Sequence, residues 1–307
     1  MKKKILLILV TLVAVFSLTG CAKTLKNSEK QAVKNPDTGQ NLVSNILCQP
    51  DSETTLNLYK ENNIDITKLP SCPNFKVTSG GYEGVWTSIF VKPLAWVIVK
   101  IGAALKSYGL ALVLITILIR LALYPFTKKA TMQSELMKEA KPALDKLEQK
   151  YKGKTDQDST MKKSQEMMAI YKKYNISPLS GCLFSFIQIP LFFAFYEAIN
   201  RLPAIFEENF LGIFQLGTTP LTALSTGRWY YLVFAAAIIA TTYFSFKMSS
   251  ADMSGDQQNQ MKMMSRIMVV FISIASFSLS TGVAFYWITN SGCTILQNVI
   301  VKRRKKA

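Results

Sequence analysis

The stretch Ser107–Lys129, SYGLALVLITILIRLALYPFTKK, decides how the rest of the chain is to be read. From Tyr108 to Tyr124 only Thr116 and Arg120 interrupt an apolar run, which then meets Pro125 and the pair Lys128-Lys129. As a helix this run would rise about 25 Å, enough for a thin bilayer and marginal for a hydrocarbon core of about 30 Å. A charge inside such a segment costs about 2.5–3.5 kcal/mol on insertion scales, so an Arg there is either functional or escapes. Two readings of Arg120 therefore stand open on this stretch alone. It snorkels to the headgroups near Pro125, about 7–8 Å of helix rise away, or it stays inside the membrane as a working charge.

Working outward, composition agrees with a chain that crosses a membrane several times. Hydrophobic residues make up 49% of it, yet the formal net charge is +17, and apolar runs alternate with Lys-rich segments. The basic excess is confined to particular loops, which points to membrane topology and away from specific nucleic-acid binding. Histidine is absent, which excludes His-based triads, HExxH zinc sites and an imidazole base. The Gly153-Lys154-Thr155 triplet is no phosphate loop, because Glu148 stands where that motif needs glycine. No cofactor and no small-molecule substrate is expected.

Residues 1–20 read as a lipoprotein signal peptide: a basic MKKK start, an apolar run from Ile5 to Phe16, then Leu18-Thr19-Gly20-Cys21. The last four resemble a bacterial lipobox, with Cys21 the diacylated first residue of the mature chain; an ordinary signal anchor with a chance Cys is the other reading. Residues 21–85 are polar, rich in Asn, Ser, Asp, Pro and Gly, and read as a poorly structured, lipid-anchored extracytoplasmic spacer. Cys48 and Cys72 fall in this oxidising location and form a candidate disulfide. Residues 86–106 set Trp86, Ile89, Phe90, Trp96, Val97 and Ile101 against Lys92, Lys100 and Lys106, the pattern of an amphipathic helix lying in the interface.

The first span is assigned to 107–126. Residues 127–180 form the most charged region and split around KGKTDQD into two helical stretches. Leu136, Ala140, Leu144, Leu147 and Tyr151 recur at steps of three and four in the first, as do Met161, Met168, Tyr171 and Tyr174 in the second. This predicts a helical hairpin closed on a narrow apolar seam, with Pro142 bending or restarting its first helix. The remaining spans read as 181–201, 228–246, 266–280 and 282–301, with a loop at 247–265 and a basic tail at 302–307. Twelve lysines lie between Lys128 and Lys173, whereas the loop 202–227 has none and carries Glu207 and Glu208. The positive-inside bias places the hairpin and the tail in the cytoplasm and the loop 202–227 outside. The expected architecture is all-α and polytopic: five transmembrane helices, N-terminus out and C-terminus in, in the plasma membrane of a bacterium.

Polar residues within these spans gather in the cytoplasmic half. They are Thr116 and Arg120 on the first, Gln188 on the second, Thr241 on the third, and Trp287, Asn290, Thr294 and Gln297 on the last. Polar groups do not face lipid cheaply, so they should converge on a hydrophilic groove open to the cytoplasm. Hydrogen-bond glue between helices is the plainer reading; it suits Ser and Thr well, Arg120 and Gln188 less well.

These residues also carry a resemblance. GLALVLITILIRLALYPFT, the Met- and Lys-rich hairpin, MMAIYKKYNISPLSGCLFSFIQIPLFFAFYEAI and STGVAFYWITNSGCTILQNVI resemble, in order, the YidC/Oxa1/Alb3 family of membrane protein insertases, most closely its SpoIIIJ-like lipoprotein members in Gram-positive bacteria. The resemblance implies that Arg120, Gln188 and Trp287 line a groove open to cytoplasm and lipid. It implies insertion and folding of nascent membrane proteins without covalent chemistry, hence no enzyme, with the Sec translocon and the ribosome as candidate partners. The short basic tail departs from long-tailed relatives that dock ribosomes, and Trp287 follows Tyr286 where some relatives have Tyr-Tyr. A transporter or channel, or a lipid-anchored assembly scaffold, is the alternative. No inverted repeat or pair of broken helices favours transport, and a scaffold would not need Arg120 in the membrane.

Overall fold

The computed structural model describes residues 22–154, 156–177, 180–250 and 255–306. The signal segment, Cys21 and Thr155 lie outside the described residues. The chain divides into two compact units: residues up to Thr116 with Pro190–Ala235 and Ser276–Trp287, and Ile117–Ile189 with Ala236–Ala275 and Ile288 onward. Among the described residues nearly all regular structure is helical, as the apolar periodicity predicts.

In the first unit the segment expected to be poorly structured is folded. Isolated antiparallel bridges pair Thr24 with Val43, Lys26 with Ala32 and Lys34 with Asn41. Helix α1, Glu53–Glu61, starts at Ser52, whose side chain accepts from the Thr55 amide. Leu25, Leu42, Val43, Ile46, Tyr59 and Ile66 form a core with Phe206, which comes from the loop 202–227. The correction has a physical cause: these scattered apolar residues are too few to bury one another, and the loop completes them. Cys48 and Cys72 are bonded, with Cα atoms 4.9 Å apart. Gly39, at φ +69°, passes so close to Thr222 that a Cβ there would lie 2.0 Å from its Cγ2.

A π-helical turn, Thr87–Val91, leads into α2, Lys92–Leu105, which ends on Lys106 in the left-handed region. The helix is amphipathic, but its polar side differs from the expected one. Lys92 is fully buried: its Nζ donates to the Ser79 and Gly81 carbonyls at 2.8 and 2.5 Å and lies 3.0 Å from Glu83. Ile89, Phe90 and Trp96 form the exposed apolar side.

Helix α3, Tyr108–Ala122, begins where Glu208 receives the Tyr108 and Gly109 amides at 2.5 and 3.1 Å and the Ser107 hydroxyl at 2.8 Å. A carboxylate there satisfies orphan N–H groups and favours the helix dipole. The helix stops before the expected boundary at residue 126. At Leu123 the backbone turns by 67° into α4, Tyr124–Lys150, with Pro125 in its first turn. A proline there has no amide to lose and cannot extend the preceding helix.

In the second unit α4 pairs with α5, Gln157–Lys173, whose N-cap Asp156 accepts from the Ser159 amide. Ala140, Leu144, Tyr171 and Ile176 form the seam, flanked by Leu136, Met137, Met167, Ile170 and Tyr174. One detail differs from the sequence reading: Met161 and Met168 stand exposed, their expected place taken by Met167 and Ile170. Pro142 lies inside α4, which continues across it, so of the two expected effects the restart does not occur. The tip is tied by Glu166, which accepts from Lys150 Nζ at 2.6 Å and Tyr151 Oη at 2.8 Å.

The remaining elements are α6, Ser180–Arg201, and α7, Pro203–Phe206; then strands β1, Asn209–Phe210, and β2, Phe214–Gln215; then α8, Pro220–Ser225. They are followed by α9, Leu232–Ser250, α10, Gly255–Ser276, and α11, Thr281–Lys306. Between α10 and α11, Thr281 N and Gly282 N donate to Thr218 O and Leu216 O at 3.0 and 2.8 Å, so the loop fixes this turn. Among the described residues, Thr87–Leu105 and Trp229–Met248 are long and apolar enough to cross a membrane. The bent pair α3–α4 makes a third, and Ser265–Ser276 is apolar but shorter. By length and apolarity the described helices thus give two to three candidate spans where five were expected, and one of them, Thr87–Leu105, is the segment expected to lie in the interface. Polar residues explain part of the shortfall: Asn290, Thr294, Gln297 and Asn298 dilute α11, and Leu123 and Pro125 break the first run.

Candidate functional site

Three helices of the second unit bring polar side chains together at Arg120. The residue lies one turn before the break at Leu123, is only 7% exposed, and extends toward neighbouring helices. Its Nε donates to Asn290 Oδ1 at 2.6 Å from α11, and its Nη2 donates to Gln188 Oε1 at 2.9 Å from α6. Guanidinium groups only donate, so each amide must turn its oxygen to Arg120. Both of these acceptors are neutral amides, which orient the guanidinium.

A second polar contact joins α4 to α11. Thr127 Oγ1 donates to Gln297 Oε1 at 3.0 Å, and Gln297 Nε2 donates to Thr131 Oγ1 at 3.3 Å. Sequence reasoning missed Thr127 and Thr131, whose four-residue spacing just after Pro125 was a usable signal. The expected threonines behave otherwise. Thr241 and Thr294 return their hydroxyls to the carbonyls of Ala237 and Asn290 on their own helices, at 2.7 and 3.0 Å.

Thr116 and Trp287 belong to the first unit. Thr116 is buried and donates to Leu112 O at 2.6 Å. Trp287 meets Phe192 edge-on with centroids 5.1 Å apart, and next to it Tyr286 stacks on Phe195 at 4.2 Å. The same unit holds a charged network that the sequence reading did not assemble. Arg201, 1% exposed, donates to Glu197 at 2.8 Å, to the Asn45 carbonyl at 2.5 Å and to Glu83, while Trp86 Nε1 donates to Glu197 at 3.0 Å. The i,i+4 pair Glu197–Arg201 was visible; its partners, from irregular backbone far along the chain, were not. Among the described residues no cluster of three or more Asp, Glu or Cys side chains could hold a metal ion.

Residues 100–307 match the model of the 60Kd inner membrane protein family. The chain belongs to that family. Its relatives include the membrane protein insertase YidC of Oceanobacillus iheyensis, 31% identical over 72% of this chain and 85% of that protein. YidC 2 of Bacillus anthracis is 37% identical over 71% and 82%, and MisCA of Bacillus subtilis 34% over 71% and 79%. Among solved structures, an active YidC insertase superposes with a TM-score of 0.51 at 22% identity, covering 80% of this chain and 52% of that one. The chain thus spans about half the length of that structure, and the likeness is one of fold. The bond donors and acceptors around Arg120 lie within the stretch that the 60Kd inner membrane protein model covers.

Proposed function

We propose that the chain is a membrane protein insertase, working without covalent chemistry on nascent membrane proteins. The observation that carries this reading is Arg120, buried and oriented by two neutral amides from two other helices. A polar segment crossing hydrocarbon costs several kcal/mol for each unpaired group. A hydrated groove part-way across lowers that cost, and a guanidinium held there attracts carboxylates of the incoming segment. The substrate's apolar helix then leaves sideways into lipid past the Trp287 side of α11. On this reading Gln188 and Asn290 are positioning residues, and Gln297 with Thr127 and Thr131 continues the polar path toward α4.

The same reading takes five spans around that groove, the α4–α5 hairpin and the basic tail in the cytoplasm, and the N-terminal layer outside, anchored through Cys21. The Lys distribution supports this orientation. The Sec translocon and the ribosome are candidate partners on the cytoplasmic side.

The test is a substitution series read by insertion of two substrates, one with acidic residues in its translocated segment and one without. Arg120→Lys should keep most activity, because a point charge is enough to attract carboxylates. Arg120→Ala and Arg120→Glu should stop insertion of the acidic substrate at normal protein abundance and affect the neutral one less. Normal insertion of the acidic substrate by Arg120→Glu would end this mechanism.

A further inference from the structure

The loop between α6 and α9 carries two charges in its span 202–227, Glu207 and Glu208, and no lysine or arginine. Both carboxylates turn inward. Glu208 caps α3 through Ser107, Tyr108 and Gly109, and Glu207 Oε2 accepts from the Asp51 and Ser52 amides at 3.0 and 3.4 Å. What the loop exposes is uncharged and largely apolar: Leu211 is 75% exposed, Leu221 58%, Ile213 56% and Leu224 40%. Leu211 and Ile213 form the tip of the β1–β2 turn, whose base is held by Phe210 against Phe285 with centroids 4.9 Å apart. Trp229, 71% exposed, follows immediately and opens the candidate span Trp229–Met248, along which Val233 is 54% exposed. The exposed apolar positions thus continue in sequence into a span.

We propose that this loop is not a water-exposed connector: the Leu211–Ile213 tip and the Leu221–Leu224 side of α8 are seated in the lipid interface of the leaflet that α9 enters at Trp229. Water would receive four large apolar side chains and no charge from the span 202–227, whereas an interface receives them with Arg228 and Trp229 beside them, the usual membrane-boundary composition. The internal use of both carboxylates removes the acidic charges that would oppose such seating, and Arg228 beside Trp229 is long enough to reach the headgroups. The inference rests on the membrane placement of the family and is independent of insertase activity.

Single cysteines at Leu211, Ile213, Val233 and Lys68 of the full chain, with Cys182 and Cys293 replaced by Ala, are labelled with an environment-sensitive fluorophore in phosphatidylcholine vesicles. Val233 serves as the lipid control and Lys68, whose side chain is 87% exposed in the N-terminal layer, as the water control. Spin-labelled phosphatidylcholine should quench labels at 211 and 213 as it does at 233, and iodide should quench only 68. Iodide quenching at 211 and 213 comparable to 68 overturns the proposal. So does shielding from both quenchers, which would mean a protein partner or a second copy covers the tip. If 233 itself escapes the lipid quencher, the membrane placement has failed and the inference falls with it.

Discussion

Arg120 and Asn290 are separated by 170 residues and meet at 2.6 Å, so each can be used to question the other. Asn290→Ala removes the Nε acceptor and leaves a buried donor short of a partner, at about 1–3 kcal/mol. Thermal unfolding in nanodiscs should drop accordingly. Asn290→Asp should do the opposite in one respect: the carboxylate pairs with Arg120, holding stability while cancelling the charge, so insertion of acidic substrates should fall. If the Asp variant inserts them normally, the Arg120 charge is not what the site uses. Arg120, Gln188 and Asn290 were legible in sequence because polar side chains in apolar runs have few ways to be satisfied. Lys92 was not. It looks like a surface lysine on an amphipathic helix, and nothing local reveals that Glu83 and two carbonyls of irregular backbone enclose it.

At the scale of elements, the N-terminal layer was the hardest part to read, because its core borrows Phe206 and a disulfide ties Cys48 to Cys72. Helices with a strong apolar repeat, such as α4, needed no such help. Replacing Cys48 and Cys72 together by Ser should cost about 2–4 kcal/mol of the layer's stability, since the unfolded loop between them regains its freedom. Hydrogen exchange should rise across residues 22–75 and leave α4 and α5 unchanged; unchanged exchange in the layer would show that packing alone holds it. Glu207 adds a pH dependence. Burial, with Asp51 nearby, pushes its carboxyl above the ordinary 4.5, against opposing hydrogen bonds from Thr55 and the Asp51 and Ser52 amides. The folded layer therefore holds its proton more tightly than the unfolded chain does. Its contribution is present in full below the unfolded value and is lost as pH rises through the raised one. Layer melting should climb on acidification toward pH 4.5, and Glu207→Gln should flatten that slope.

For the whole molecule the family and the helical class were readable from the order of apolar runs and Lys-rich segments, while the number of spans was not. Helix length and apolarity alone give two to three spans among the described residues, because α11 carries a polar stripe and α3 breaks at Leu123. Orientation rests on a different quantity, the lysine asymmetry between the α4–α5 hairpin and the loop after α6. That asymmetry can be checked without reference to the loop itself, whose surface is apolar. Single cysteines at Lys68 in the N-terminal layer and at Asp158 near the start of α5 occupy exposed sites in the two units. With Cys182 and Cys293 replaced by Ala, a membrane-impermeant maleimide should label position 68 in intact cells and position 158 only after lysis. The twelve lysines from Lys128 to Lys173 make the reverse orientation costly, so a few charge changes should not flip it. Labelling of 158 before lysis would place the hairpin outside, and would carry the polar path from Arg120 to the wrong side for a substrate arriving from the cytoplasm.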